Sequence, residues 1–201
     1  MPKSCAQAKP LTNNQLKKVN TFIELALEFN KTHNIFVRTS KEEVMQKDIN
    51  DCSPIINLIK PNNNIADLGS GGGFPGILLS ITKPDNKITL IESNNKKCYF
   101  LRTVIDRLEL KNAEVINQTI TKNNNLERFD VITARAFASI EKIISLTQKN
   151  NKKETEYILL KGKEQKIKEE LKLLDQKKYR YEIIKLNNEN HERNIVVIKN
   201  E

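Results

Sequence analysis

Asn64-Ile65-Ala66-Asp67-Leu68 is a short apolar run with an acid near its end, and Gly69-Ser70-Gly71-Gly72-Gly73-Phe74-Pro75-Gly76 follows it at once. The pattern predicts a β-strand, a glycine-rich loop and the start of a helix. Five of the six glycines in the chain fall in those eight residues, a concentration that suits positive φ angles and close approach of the backbone to a ligand. Downstream, Lys87-Ile88-Thr89-Leu90-Ile91-Glu92 reads as a buried strand that finishes in a carboxylate. Glu92 lies 19 residues after Gly73, close to the ~20-residue separation at which an acid ending a second strand meets a ribose diol. Its two oxygens can accept from both ribose hydroxyls.

The dinucleotide fingerprint Gly-x-Gly-x-x-Gly fails from Gly69, where Phe74 stands in place of the third glycine. It is met only from Gly71, two residues late and with Pro75 inside the turn. The better description is Asp67-x-Gly69-x-Gly71-x-Gly73, an acid and three glycines at alternate positions. That pattern resembles motif I of the Rossmann-like S-adenosylmethionine-dependent methyltransferases, with Glu92 as the ribose-binding acid.

The chain of 201 residues suits one main domain with an extension. It has no long apolar run and no signal-peptide core behind Met1, so a soluble, cytoplasmic protein without membrane contact is expected. Cys5, Cys52 and Cys98 are scattered, which indicates free thiols and neither a disulfide framework nor a metal site. The net charge of +9 invites a polyanion partner. Lysine supplies most of that charge, however, and Asn and Ile are also abundant, as an AT-rich genome would produce through its codons. Between Lys149 and Lys185, 12 basic residues face 7 acidic ones, a net +5 compatible with either nucleic-acid binding or a solvated surface. His33 and His191 stand near no nucleophile pattern, and no P-loop signature is present, so a hydrolase triad and a P-loop NTPase have no support.

Hydrophobic periodicity predicts an amphipathic helix over 13–29 and a second one opening with a capping box at Ser40-Lys41-Glu42-Glu43. Pro54 should break or restart that second helix, and Pro61 should lie in the loop before the first strand. Strands are expected near 64–68, 87–92, 113–117, 129–133 and 155–160, alternating with helices near 75–82, 94–109, 139–148 and 163–175, which describes a parallel doubly wound sheet. Lys122 to Asn125 is the expected flexible loop. Tyr179 to Leu186 and Asn194 to Lys199 are two further strands joined by so few residues that they should form an antiparallel hairpin. A methyltransferase sheet typically ends in such a pair, whereas a dinucleotide-binding sheet typically stays parallel.

Several blocks taken together carry a closer resemblance. Gly69 to Gly76, Glu92-Ser93-x-x-Lys96-Lys97-x-x-Phe100-Leu101, Arg135-Ala136-Phe137-Ala138, Leu160-Lys161-Gly162 and Arg193-Asn194-Ile195-Val196-Val197-Ile198 resemble the bacterial ribosomal RNA small subunit methyltransferase G family, also called glucose-inhibited division protein B. Asn34-Ile35-Phe36 is similar to a stretch of that family's N-terminal extension. The resemblance implies an α/β, Rossmann-like class I S-adenosylmethionine-dependent methyltransferase. Its sheet would have seven mostly parallel strands with the last one antiparallel, with a helical extension over 1–62 and the cofactor-binding domain over 63–201.

The activity implied is methylation of N7 of one guanine in 16S ribosomal RNA, as naked RNA or within the small ribosomal subunit. Cofactor contacts are implied for Gly69, Gly71, Gly73, Phe74, Glu92, Arg135 and the backbone at Ile120 and Thr121. Arg135 and Lys161 are the candidates for the reacting centre, and Lys96 and Arg193 for RNA. Two segments depart from the family pattern. Thr119-Ile120-Thr121 replaces an Arg-x-Glu-Asp-like stretch, and Lys47-Asp48-Ile49-Asn50-Asp51-Cys52 keeps only Asp51 of an Arg-His-x-x-Asp-Ser block. Open beside this reading are a transferase of the same fold acting on another RNA, a protein or a small molecule, and a nicotinamide-dependent oxidoreductase or catalytically silent nucleotide-binding module. A monomer is the default, since no further interaction segment is visible.

Overall fold

In the computed structural model, which describes residues 10–186 and 192–200, β1 (Asn64–Leu68) is an interior strand, third of seven in a single sheet. It pairs in parallel with β2 (Lys87–Glu92) on one side and with β4 (Phe129–Arg135) on the other. β3 (Ala113–Asn117), β5 (Asn151–Lys161), β6 (Tyr179–Leu186) and β7 (Arg193–Asn200) complete the order β3-β2-β1-β4-β5-β7-β6. β7 runs antiparallel to both β5 and β6, as the terminal pattern predicts. Residues 187–191, which join the hairpin and include His191, lie outside the described residues, as does Cys5. The chain leaves β1 toward β2 and β3, then returns to β4 on the opposite side. The crevice beyond the carboxyl ends of β1 and β4 is therefore the topological switch point where such sheets bind ligands.

Alternation along the strands sorts side chains to two apolar layers. Ile65, Ile88 and Leu90 join one layer, while Ala66, Leu68 and Ile91 join the other. The first layer is covered by α4 (Gly76–Thr82), α5 (Asn95–Arg107) and the N-terminal α1 (Asn13–His33). The second is covered by α6 (Ile140–Thr147) and α7 (Glu164–Leu171). Val19, Phe22, Ile23 and Ala26 form the buried stripe of α1 and belong to the same apolar cluster as Ile65 and Ile77. A capping box between Thr12 and Gln15 starts α1, and Asn34 in the left-handed conformation ends it. The helix thus runs four residues beyond the expected 29, where Lys31 and His33 complement its dipole.

Ser40 caps α2 (Lys41–Val44) by accepting from the Glu43 amide at 3.2 Å, but the reciprocal half of the expected box goes elsewhere. The Glu43 carboxylate accepts from the Thr39 amide, at 3.0 Å. A wide π-type turn (Met45–Ile49), α3 (Asn50–Cys52) and a 3-10 turn (Ser53–Asn57) continue from α2, with Pro54 restarting the chain in the last of these. β5 begins at Asn151 rather than 155, pairing there with Phe129 ahead of a register irregularity between Phe129 and Val131. α7 stops at Leu171, short of the expected 175. The segment 122–125 lacks regular structure, yet Asn124 anchors it by donating to Thr121 and Leu146 carbonyls at 2.9 and 3.1 Å. Among the described residues no helix is long and apolar enough to cross a membrane.

Asp67, fully buried, ties β1 to α4: one carboxylate oxygen accepts from the Gly76 amide at 3.1 Å. The other has no hydrogen-bond partner. Burial pushes this carboxyl up to about 7, against the lowering effect of the Gly76 amide. The folded chain consequently holds the Asp67 proton more tightly than the unfolded chain, whose carboxyl titrates near ~3.9. Its contribution to stability is greatest below that value, declines as pH rises from about 4 to 7 and is flat above. Asp67→Asn should remove this decline. Denaturant titrations of both proteins across that interval test it, and parallel pH profiles would refute the assignment.

Candidate functional site

The glycine turn continues the pairing of β1 by one residue, because the Gly69 amide donates to the Ile91 carbonyl at 2.8 Å. Gly69, Gly71 and Gly73 all have positive φ, +65°, +54° and +92°, as the alternate-glycine pattern predicts. Gly69 is required twice over: a Cβ there would also lie 2.5 Å from Cδ2 of Phe137. Gly76 is required for a different reason, since its Cβ would come within 2.6 Å of the buried Asp67 carboxylate.

Glu92, at the carboxyl end of β2, is buried beside this turn. One carboxylate oxygen accepts from the Gly71 amide at 2.9 Å and the other from the Asn94 amide at 2.8 Å. These bonds fix its orientation, and each oxygen keeps a lone pair for a further donor such as a ribose hydroxyl. The structure therefore brings Gly69, Gly71, Gly73 and Glu92 into one cluster. Ile120 and Thr121 lie in the loop that leads from β3 toward β4; Ile120 is buried, and the Thr121 carbonyl accepts from Asn124. Phe74 offers the turn support more than surface. The residue is 5% exposed, and its ring packs on Phe22 at 4.9 Å between centroids and lies 5.4 Å beneath the Arg135 guanidinium. The Phe74–Pro75 peptide is cis.

Arg135 ends β4 directly across from the glycine turn, since Leu68 and Ala134 are register partners. It is not a surface ion pair. Its guanidinium bonds to the carboxylate of Asp48, which also accepts from Nε of Arg38 at 2.9 Å. Asp48 is 2% exposed and stands between the two arginines. One turn further along the same helical stretch, Asp51 is likewise buried and accepts from Nε of Arg193 at 3.1 Å. Cys52 adjoins Arg135, and burial pushes its thiol up to about 12, so it is uncharged. The block that departs from the family pattern is thus where the arginines are anchored. Sequence reading passed over Asp48 although Asp48 and Asp51 have the i, i+3 spacing that places two side chains on one helical face.

A cavity of about 760 Å³ opens at the same end of the sheet. Arg135, Lys161 and Arg193 all line it, together with Arg38, Lys163 and Phe137. Lys161 is largely buried, and its ammonium donates to the Ala138 carbonyl at 2.8 Å and to Glu170 at 2.7 Å. Two of its three protons are thereby used, leaving one. Glu170 also accepts from the Ile140 amide, at 2.9 Å, so one carboxylate joins α7, the start of α6 and the end of β5. Lys96 is not part of this cavity. It is exposed on the first turn of α5 and lines a separate depression with His33, Asn34 and Lys97. Phe137, quoted in the Arg-Ala-Phe-Ala block without a role, proves to be an exposed aromatic at the boundary between the glycine turn and the cationic cavity.

The fold has close solved relatives in shape. An S-adenosylmethionine-dependent methyltransferase from Aquifex aeolicus superposes with a TM-score of 0.63 at 13% identity, covering 86% of this chain and 97% of that one. A precorrin-6y C5,15-methyltransferase from Geobacter metallireducens does so with a TM-score of 0.62 at 15% identity, covering 82% and 93%. At those identities the likeness concerns the fold alone. Sequence relatives reach further. The ribosomal RNA small subunit methyltransferase G of Brachyspira hyodysenteriae is 38% identical over 190 residues, covering 94% of this chain and 92% of that protein. The protein of the same name from Mycoplasma capricolum is 38% identical over 170 residues, covering 82% and 73%. The GidB family model, described as rRNA small subunit methyltransferase G, matches residues 15–196. With a match of that extent and relatives at that identity, the chain belongs to the rRNA small subunit methyltransferase G family.

Proposed function

We propose that this protein transfers a methyl group from S-adenosylmethionine to N7 of a guanine in 16S ribosomal RNA, acting in the cytoplasm. The observation that carries the reading is the meeting of the glycine turn, Glu92 and Arg135 at the β1/β4 switch point, beside a cavity lined with cations. The positive φ of Gly69 sets the turn at the end of β1, and Glu92 has the spare lone pairs that a ribose diol needs. The backbone at Gly71, Gly73, Phe74, Ile120 and Thr121 completes the proposed cradle.

S-adenosylmethionine supplies a methyl group on a sulfonium; the N7 lone pair forms the new C–N bond, the S–C bond breaks, S-adenosylhomocysteine leaves neutral at sulfur, and the positive charge passes to the base. Guanine N7 carries no proton, so no side chain has to act as a base. The work of the protein is alignment, an effect able to supply ~7–11 kcal/mol of barrier reduction. Arg135, held by Asp48, and Lys161, held by Glu170 and Ala138, present fixed donors at the cavity wall. Donors of this kind orient guanine through its O6/N7 edge. Arg193 in the cavity and Lys96 outside it are assigned to phosphates of the surrounding RNA.

Transfer of labelled methyl to small ribosomal subunits lacking the modification, followed by borohydride and aniline cleavage, tests donor, acceptor and atom together. A single cleavage site is expected; bound cofactor without incorporation would leave the fold reading intact and overturn the acceptor. Gly71→Asp has space for its side chain, because a Cβ at Gly71 meets only the Gly69 carbonyl at 3.6 Å, and aspartate is one of the few residues besides glycine that take up a φ of +54°, so circular dichroism should match the parent. It should nonetheless lose S-adenosylmethionine binding in calorimetry, since a new carboxylate would adjoin Glu92 and the cofactor's own carboxylate. Arg135→Ala should also fold, as Asp48 retains Arg38 as a partner. Its single-turnover methyl transfer should fall by about tenfold or more, the loss of one charge-assisted hydrogen bond worth ~1.5–3 kcal/mol, and turnover equal to the parent would sink that role.

A further inference from the structure

Phe137 has no part in the scheme above, yet its placement is too constrained to be incidental. The residue is 37% exposed. One edge rests on Gly69, so closely that a Cβ on that glycine would lie 2.5 Å from Cδ2, and the ring also lines the cationic cavity. The preceding residue, Ala136, has φ of +53°, a left-handed conformation that a residue with a Cβ rarely adopts. Such outliers persist only where the surroundings hold them, and here both flanks are held. Arg135 is bonded to Asp48 before the turn. After it, the Ala138 carbonyl is bonded to Lys161 and the Ile140 amide to Glu170. An apolar ring is thus kept at the border between the turn assigned to the cofactor and the cavity assigned to RNA, where the acceptor base must meet the methyl group.

We propose that Phe137 is the surface on which the acceptor purine stacks. The inference rests on the reading of the site as a guanine-N7 methyltransferase and deepens it. Stacking on an aromatic side chain is how proteins commonly hold an unstacked base. In this reaction it has a further consequence. The base enters neutral and leaves with a positive charge shared over its imidazole ring. The face of a phenyl ring attracts a cation, so its grip on the base strengthens as transfer proceeds, which is the condition for accelerating the chemical step. Carboxylates offset part of the opposing charge: Arg193 is paired with Asp51 and Lys161 with Glu170, and Arg38 and Arg135 share Asp48, which leaves one positive charge among those three groups, with Lys163 and Lys166 also on the cavity lining.

Phe137→Leu, Phe137→Tyr and Phe137→Trp separate stacking from simple space filling. Each should bind S-adenosylmethionine within about twofold of the parent, whereas methyl transfer to unmodified small subunits should fall by about tenfold or more in Phe137→Leu and recover with Tyr or Trp. A second measurement does not depend on the ribosomal acceptor. With S-adenosylhomocysteine present, 7-methylguanosine 5′-monophosphate should bind the parent at least about threefold more tightly than guanosine 5′-monophosphate, and Phe137→Leu should abolish the difference. Full transfer by Phe137→Leu, failure of Tyr and Trp to restore it, loss of cofactor affinity in Phe137→Leu, or equal binding of the two nucleotides by the parent would each overturn the proposal. A parent that discriminates between the nucleotides but methylates no ribosomal particle would keep the stacking surface and overturn only the assigned acceptor.

Discussion

Asp48 makes the rest of the site possible. A buried carboxylate is costly unless paired, and so is a guanidinium drawn partly out of water. Placing one carboxylate between Arg38 and Arg135 satisfies three charges with one side chain from the helical segment that precedes β1. Asp51 repeats the device one turn later with Arg193, from the start of β7. The N-terminal helices therefore do more than cover the sheet. They bring two negative charges to the carboxyl end of β4 and the amino end of the antiparallel β7, strands that are distant in sequence, and they set where the guanidinium groups can point. Phe74 adds a third constraint from beneath Arg135, with its own ring braced by Phe22 of α1.

This pairing also bears on the chemistry. A site that binds RNA profits from cations, whereas a base that becomes positively charged during the reaction would be opposed by bare ones. Pairing Arg135, Arg193 and Lys161 with buried or nearly buried carboxylates keeps their hydrogen-bond donors while reducing the net field inside the cavity. Less encumbered charges, such as Lys163 at the rim and Lys96 on α5, remain suited to phosphates, where attraction is long-ranged and weakly directional.

The parts of the molecule legible in the sequence are those governed by local rules. Short apolar runs ending in an acid placed β1 and β2, the concentration of glycines after β1 anticipated positive φ angles there, and two strands with a short connection foretold the antiparallel end of the sheet. Where contacts over long sequence distances decide, sequence reading stopped short. β5 begins early because Thr155 donates its hydroxyl to the Phe129 carbonyl at 2.7 Å across a register irregularity. Lys161 is marked by its place in the Leu160-Lys161-Gly162 block, but nothing local reveals that Glu170 and the Ala138 carbonyl occupy its ammonium. Asp48 was hidden by its difference from the family pattern: a position judged by the histidine it lacks gave no hint of the arginines it binds.

The Gly-Phe-Pro-Gly and Arg-Ala-Phe-Ala blocks, both part of the family resemblance, touch each other in the structure. The Gly-Phe-Pro-Gly block contributes Phe74, which lies under Arg135 of the Arg-Ala-Phe-Ala block. That second block returns Phe137, which lies on Gly69 just ahead of the first. Each aromatic ring thus occupies space that the other segment must leave open, and Gly69 has to lack a side chain both for its own backbone angle and for the ring above it. Changing either segment alone would break a contact that the other was shaped to receive, so the pair is constrained as one object although the chain builds it from the ends of two different strands.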